Sequence, residues 1–286
     1  MAHFGCPRAA PRAFAVSPPL LLELVRGSNL VPVKALFVLA SLTLTAAIVA
    51  CGDSDRARVN IAAASDVRVA FEEMEPAFEA TCNCDAVFSF GSSGTLATQI
   101  QEGLPVDAFF SANEGYVQQL DEQGKVAPDT KQLYAVGRIV LATRGGQNPL
   151  SSLDELKRDD IRKIALPNPD HAPYGLAGKQ ALTALGLWDA IEPKLVFGEN
   201  ASQATAYVET GDADAGIVPL SLAIQSDGAL TYNLIDDTLH NPLRQMAAVV
   251  TGAEHAELAA QFIGFVNGAG RETMKRYGFT LPEGSP

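Results

Sequence analysis

The sequence is short of positive charge. Its 286 residues carry 21 Lys and Arg against 33 Asp and Glu, and the formal net charge is −12. Residues 51–286 alone hold 17 basic and 32 acidic side chains, a net of −15. No basic patch is available for a phosphate backbone, which argues against nucleic-acid binding. Any small anion must be held by local dipoles and hydrogen bonds against the overall field. Metal ligands are scarce too: His171, His240 and His255 stand apart without ligand spacing. Cys6 and Cys51 lie towards the N-terminus, which leaves only Cys82-Asn83-Cys84. That pair reads as a small disulfide outside the cytoplasm, since a metal site there would need further ligands. No G-x-G-x-x-G, P-loop or G-x-S-x-G spacing occurs, so the motifs of dinucleotide, nucleotide and serine-hydrolase sites are absent.

The chain also lacks a long hydrophobic run. Ala35–Ala50, preceded by Lys34, is an apolar stretch of sixteen residues. It is short for a membrane span and suits the core of a secretory signal. Its ending, Ile48-Val49-Ala50-Cys51, resembles the bacterial lipoprotein box, which implies lipidation of Cys51; a single membrane anchor or a signal peptide with an incidental Cys is the alternative. Residues 1–50 are therefore read as a targeting segment whose first thirty residues look like an over-extended start, and 51–58 as a polar tether.

At 47% apolar residues the sequence has the hydrophobic content of a globular protein with a sizeable core. "RVNIAAA" (58–64) reads as a strand entering a buried sheet. After it Val67, Ala70, Phe71, Met74 and Phe78 recur at helical spacing, with Glu72, Glu73 and Glu75 mostly on the other face. The unit repeats through "AVFSF", "VDAFFSA", "GRIVLAT", "RKIALPN", "PKLVFGE" and "AGIVPLS", most of them leading into a helix. Alternation of this kind predicts an α/β fold with mainly parallel sheets, whose ligands bind beyond the carboxyl ends of the strands.

Small polar residues collect at those ends. Ser65 closes the first strand, Gly91-Ser92-Ser93-Gly94-Thr95 the second, and Tyr174-Gly175 and Glu199-Asn200-Ala201-Ser202 follow later strands. Each puts backbone N–H groups at a helix N-terminus, where an anion is favoured, and serine hydroxyls add donors without charge. Taken singly, such loops read as N-caps and turns. Taken in order, "AAASDV", "FSFGSSGTLATQIQEGLPVDAFFSA", "NPDHAPYGLAGKQAL", "GENASQATAYVETGDADAGIVPLS" and "KRYGF" together resemble the molybdate-binding proteins of bacterial ABC transporters, from about Asn60 to Phe279.

The resemblance implies a two-lobed type II periplasmic-binding-protein fold with the ligand cleft between lobes over 59–134 plus 246–286 and over 135–245. It implies oxyanion donors at Ser65 and Ser93, by hydroxyl and amide, and at Tyr174 and Ala201, by backbone N–H; Asp66 and Gly94 offer further amides beside the serines. The implied ligand is molybdate or tungstate bound as an oxyanion, with no cofactor, cation site or catalysis. The implied partner is an ABC permease, met by a lipid-anchored monomer on the extracytoplasmic side. One position departs: where some members carry a tyrosine whose hydroxyl donates to the ligand, this chain has Pro219, which has no donor. Another oxyanion such as sulfate, or a metal ion held by Asp and Tyr, is the alternative ligand. An enzyme would need an acid or base in the cleft, for which Asp107 is the nearest candidate, although it reads better as a buried residue pinning a neighbouring loop.

Overall fold

The structure, a computed structural model, describes residues 56–282. The targeting segment over 1–50, Cys51 and most of the tether lie outside the described residues. Among the described residues ten strands form two five-stranded sheets. The first runs β2-β1-β3-β10-β4, from β1 (Arg58–Ala64), β2 (Asp85–Gly91), β3 (Ala108–Ser111), β4 (Gln132–Gly137) and β10 (Leu243–Val249). The second runs β7-β6-β8-β5-β9, from β5 (Ile139–Arg144), β6 (Ile164–Pro167), β7 (Leu195–Gly198), β8 (Ala215–Pro219) and β9 (Leu230–Leu234). Helices α1 (Arg68–Cys82), α2 (Ser93–Gln101), α3 (Glu114–Glu122), α8 (Ala256–Asn267) and α9 (Arg271–Arg276) accompany the first sheet. Helices α4 (Pro173–Ala184), α5 (Trp188–Ile191), α6 (Ala201–Thr210) and α7 (Leu220–Gln225) accompany the second.

The parallel expectation holds for three strands of each sheet: β1 pairs in parallel with β2 and β3, and β6 with β7 and β8. The exceptions are β10 and β5, each antiparallel to both of its neighbours. These are the strands by which the chain arrives from the other lobe, so they enter their sheets from the opposite end. The passages between sheets also fall elsewhere than expected. Strand β4 stays in the first sheet through Gly137, so the first passage is at Arg138 rather than between residues 134 and 135. The return lies between Leu234 and Leu243 rather than at 245/246. Arg138 and Asp237, one from each passage, approach to 3.4 Å.

The expected face of α1 is the buried one: Ala70, Phe71, Met74 and Phe78 pack inward. Phe71 meets Phe110 and Phe262 edge-on, with ring centroids 5.0 and 5.2 Å apart, a favoured aromatic geometry. Helix α1 ends at Asn83, which takes a left-handed conformation (φ 50°) that Asn tolerates. The turn brings Cys82 and Cys84 into a disulfide. The bridge closes a loop with a single intervening residue, so replacing both cysteines by serine is expected to cost only about 1–2 kcal/mol in denaturant unfolding. A loss above about 4 kcal/mol would show that the bridge supports more than its own turn. Asp107 is buried on the far side of the first sheet and accepts from the amides of Asn60 (2.8 Å) and His255 (2.9 Å), a pinning role.

Candidate functional site

The carboxyl ends of β1, β2, β3, β6 and β7 converge between the lobes. They surround a cavity of about 10 Å³, lined by Ser65, Asp66, Ser93, Ala112, Tyr174 and Ala201 among others. That volume is about the room of one water-sized atom centre, and the lobes are in contact around it, with the Ser202 amide donating to Ser65 Oγ at 3.2 Å and the Gly94 amide to the His171 carbonyl at 2.9 Å. A wider groove of about 230 Å³ opens beside it, between Tyr116, Gln119, Pro169 and Leu176. Convergence of strand ends and helix N-termini, rather than volume, selects the smaller cavity.

Ser65 and Ser93 are fully or almost fully buried. Ser93 opens α2, and its Oγ accepts the amide of Ala112 at 2.9 Å. Ser65 follows β1, and its Oγ accepts the amide of Ser202, from the other lobe, at 3.2 Å. In each case the N–H takes up acceptor capacity and leaves the single O–H available as a donor. For Ser65 this depends on closure, because Ser202 belongs to α6. Tyr174 is the second residue of α4 and Ala201 the first of α6, so neither amide has an intrahelical acceptor. Asn200 caps α6 by accepting from the amide of Gln203, which is the ordinary role such a residue plays and leaves the Ala201 amide alone. The structure thus gathers Ser65, Ser93, Tyr174 and Ala201 around one cavity.

Two other expected donors are differently employed. The Gly94 amide donates across the cleft to the His171 carbonyl at 2.9 Å, so it is not free for an anion in this conformation. A Cβ at Gly94 would come within 2.7 Å of that carbonyl oxygen, which is why glycine stands here. Ser92 Oγ donates to the same oxygen at 2.6 Å. At Asp66 the side chain, rather than the amide, makes the contacts that the structure shows. Its Oδ2 accepts from Tyr174 Oη at 2.8 Å and from Gln245 Nε2 at 2.7 Å, and its backbone carbonyl accepts from Ser221 Oγ at 2.8 Å. The hydroxyl of Tyr174 is therefore spent on Asp66, consistent with only its amide being offered to the cavity. Burial raises the Asp66 carboxyl to about 6 although the Gln245 and Tyr174 hydrogen bonds pull it down. The same burial, and then the Asp66 charge, push the Tyr174 phenol well above its ordinary range.

His171 and Gln245 were not singled out from sequence. The His171 contribution is a main-chain oxygen, which no side-chain pattern announces. Gln245 had a signal: in "LRQMAAV" it occupies an inward phase of β10, flanked at i−2 and i+2 by buried Leu243 and Ala247. At Pro219, which ends β8, nothing donates, and the hydroxyl of Ser221 two residues on is committed to Asp66. Among the described residues no three of His, Cys, Asp and Glu gather as a metal site, and no helix is long and apolar enough to cross a membrane.

The sequence profile of the bacterial extracellular solute-binding protein family matches residues 59–280. The molybdate-binding protein ModA of Azotobacter vinelandii is 32% identical over 83% of this chain and 95% of its own. The chain belongs to the ModA-type solute-binding proteins. Escherichia coli ModA is 30% identical over 87% of this chain and 98% of its own length. The solved periplasmic molybdate-binding protein of A. vinelandii superposes with a TM-score of 0.74 at 31% identity, over 79% of this chain and 100% of that one. The sulfate-binding protein SubI of Mycobacterium tuberculosis shares the fold, with a TM-score of 0.70 at 17% identity over 80% of this chain and 88% of SubI. Membership places this chain among the extracytoplasmic binding components of ABC transporters and not among enzymes.

Proposed function

We propose that this protein captures molybdate, and tungstate with it, between its two lobes and hands it to an ABC permease. The single observation that carries the reading is the pair of serine hydroxyls. Ser65 and Ser93 each accept a backbone amide, so each keeps one O–H to give, and both line a cavity that is also lined by Tyr174 and Ala201 from the first turns of α4 and α6. These groups meet oxygen atoms, not the central atom of the anion. Molybdate and tungstate are fully deprotonated at neutral pH and accept only, as a ring of donors requires, whereas hydrogen phosphate brings a proton of its own. Sulfate also accepts only, so the donor set does not separate it from molybdate, and discrimination falls to the size the site takes around a bound anion.

Closure is a consequence of the site. Donors from both lobes reach one anion only when the lobes meet, so binding shifts the population from open to closed, and the closed form is what the permease reads. Lipidation at Cys51 would hold a monomer at the membrane beside that permease, since the lipoprotein modification brings more than one acyl chain. Calorimetric titration of the purified protein with molybdate, tungstate, sulfate and phosphate tests the reading. Tight one-to-one binding of the first two with weak binding of the others is expected. Preference for sulfate would reassign the ligand, and silence from all four would end the oxyanion reading.

A further inference from the structure

The cavity of this acidic protein has an acid, Asp66, among its lining residues. Asp66 is 2% exposed, and both hydrogen bonds from neighbouring side chains go to Oδ2, while Oδ1 is buried without a partner. Its surroundings do not neutralise it. Tyr174 from α4, Tyr134 from β4 and Gln245 from β10 are uncharged. Arg68, at the start of α1, reaches Glu72 at 3.5 Å and lies over the Phe90 ring at 4.4 Å. His171, from the β6–α4 loop, has Nδ1 2.8 Å from Ser92 Oγ and Nε2 4.0 Å from Glu199, the acid of the β7–α6 loop. Arg138 turns to Asp237. Among the described residues no cationic side chain contacts the Asp66 carboxylate. A dianion closed into this cavity beside an ionised Asp66 would enclose three negative charges against dipoles alone, an arrangement that proteins avoid by neutralising a group.

We propose that each oxyanion dianion enters the closed site together with one proton, and that Asp66 holds it. The inference rests on the oxyanion reading of the site. The step is a protonation from solvent: the Asp66 carboxylate becomes a carboxylic acid, no bond of the oxyanion changes, and the enclosed charge falls from three to two. The protonated carboxyl has a hydroxyl to donate, so the acid of the lining changes from an acceptor only into a group that can donate to an anion that only accepts. Without an anion, burial already holds this carboxyl at about 6, and a dianion beside it pushes it further up. Between those two values binding takes up a proton, so affinity falls about tenfold for each unit of rising pH; below about 6 the carboxyl is already protonated and affinity is flat.

The test is calorimetric titration of the purified protein with molybdate, in buffers of low and high ionisation enthalpy, across about pH 6.5 to 8.5. Uptake close to one proton per molybdate at neutral pH is expected for the wild type, with affinity falling about tenfold per pH unit. Asp66→Asn is expected to bind with uptake near zero and a flat pH profile, whereas His171→Gln keeps the uptake. Tight binding with no proton uptake in the wild type overturns the proposal without need of any variant, which covers the case of Asp66→Asn failing to fold. Uptake that survives Asp66→Asn, or vanishes in His171→Gln, assigns the proton elsewhere and overturns it too. Failure of the wild type to bind any of the four oxyanions is a different result, and brings down the oxyanion reading and this inference together.

Discussion

Replacing Ser93 by alanine is expected to weaken oxyanion binding by about 1–3 kcal/mol, or about 5- to 150-fold in Kd. The substitution acts twice. It removes the hydroxyl proposed to donate to the anion, and it strips the buried amide of Ala112 of its 2.9 Å acceptor. The second loss is felt with or without ligand and lowers stability; only the first is specific to the complex. Binding and unfolding measured on the same variant separate them. A Kd unchanged in a protein with native circular dichroism would remove Ser93 from the site and leave it as a structural hydroxyl bridging α2 and β3.

Gly175→Ala is expected to act on fold and site together. Gly175 lies in the first turn of α4, against the end of β6, and a Cβ there would overlap the carbonyl oxygen of Pro167 and stand 2.6 Å from its carbonyl carbon. The obstacle is main chain within a sheet, so the helix must move rather than a side chain. Overpacking of this kind costs about 1–3 kcal/mol and sometimes more, and Tm falls by about 2–4 °C for each kcal/mol in a domain of this size. The movement starts next to Tyr174, which drags its amide away from the cavity and its hydroxyl away from Asp66. Affinity should therefore drop with stability, in contrast to a change of equal thermal cost in the α1 core. A variant that melts and binds like wild type would show that α4 and β6 have more freedom than their contact suggests.

Much of this was legible from spacing. The face of α1 is set by Ala70, Phe71, Met74 and Phe78, with Val67 buried just before it, because helical period and burial coincide there. The serines at strand ends were legible because strand, loop and helix recur in a fixed order, and loop position is determined by that order. The break between β4 and β5 was not legible. "QLYAVGRIVLAT" is one apolar run with strand character throughout, and the change of sheet at Arg138 depends on which neighbours each half finds far along the chain. Gly94 and Asp66 show the same boundary at the site. Position assigns both to helix starts beside the serines, but whether an amide faces an anion or a carbonyl of the other lobe, and what a carboxylate meets, is fixed only when the lobes meet. The carboxylate of Asp66, offered by the sequence for its amide, acquires its importance from Tyr174 and Gln245, which lie 108 and 179 residues away.

Strand β10 lies inside the first sheet, between β3 and β4, yet among the described residues it is the last strand in chain order. The second sheet is drawn from one continuous stretch, Ile139 to Leu234, and has all its strands well before the chain is finished. The first sheet must wait with β3 and β4 lacking a common neighbour, and pairing across such sequence distances is slow to form and leaves strand edges open to other chains meanwhile. The two lobes are thus alike in pattern but unequal in timing. The cleft is the last part to become competent, because Gln245 and the strand that carries it must come back to a row of strands that the N-terminal end began.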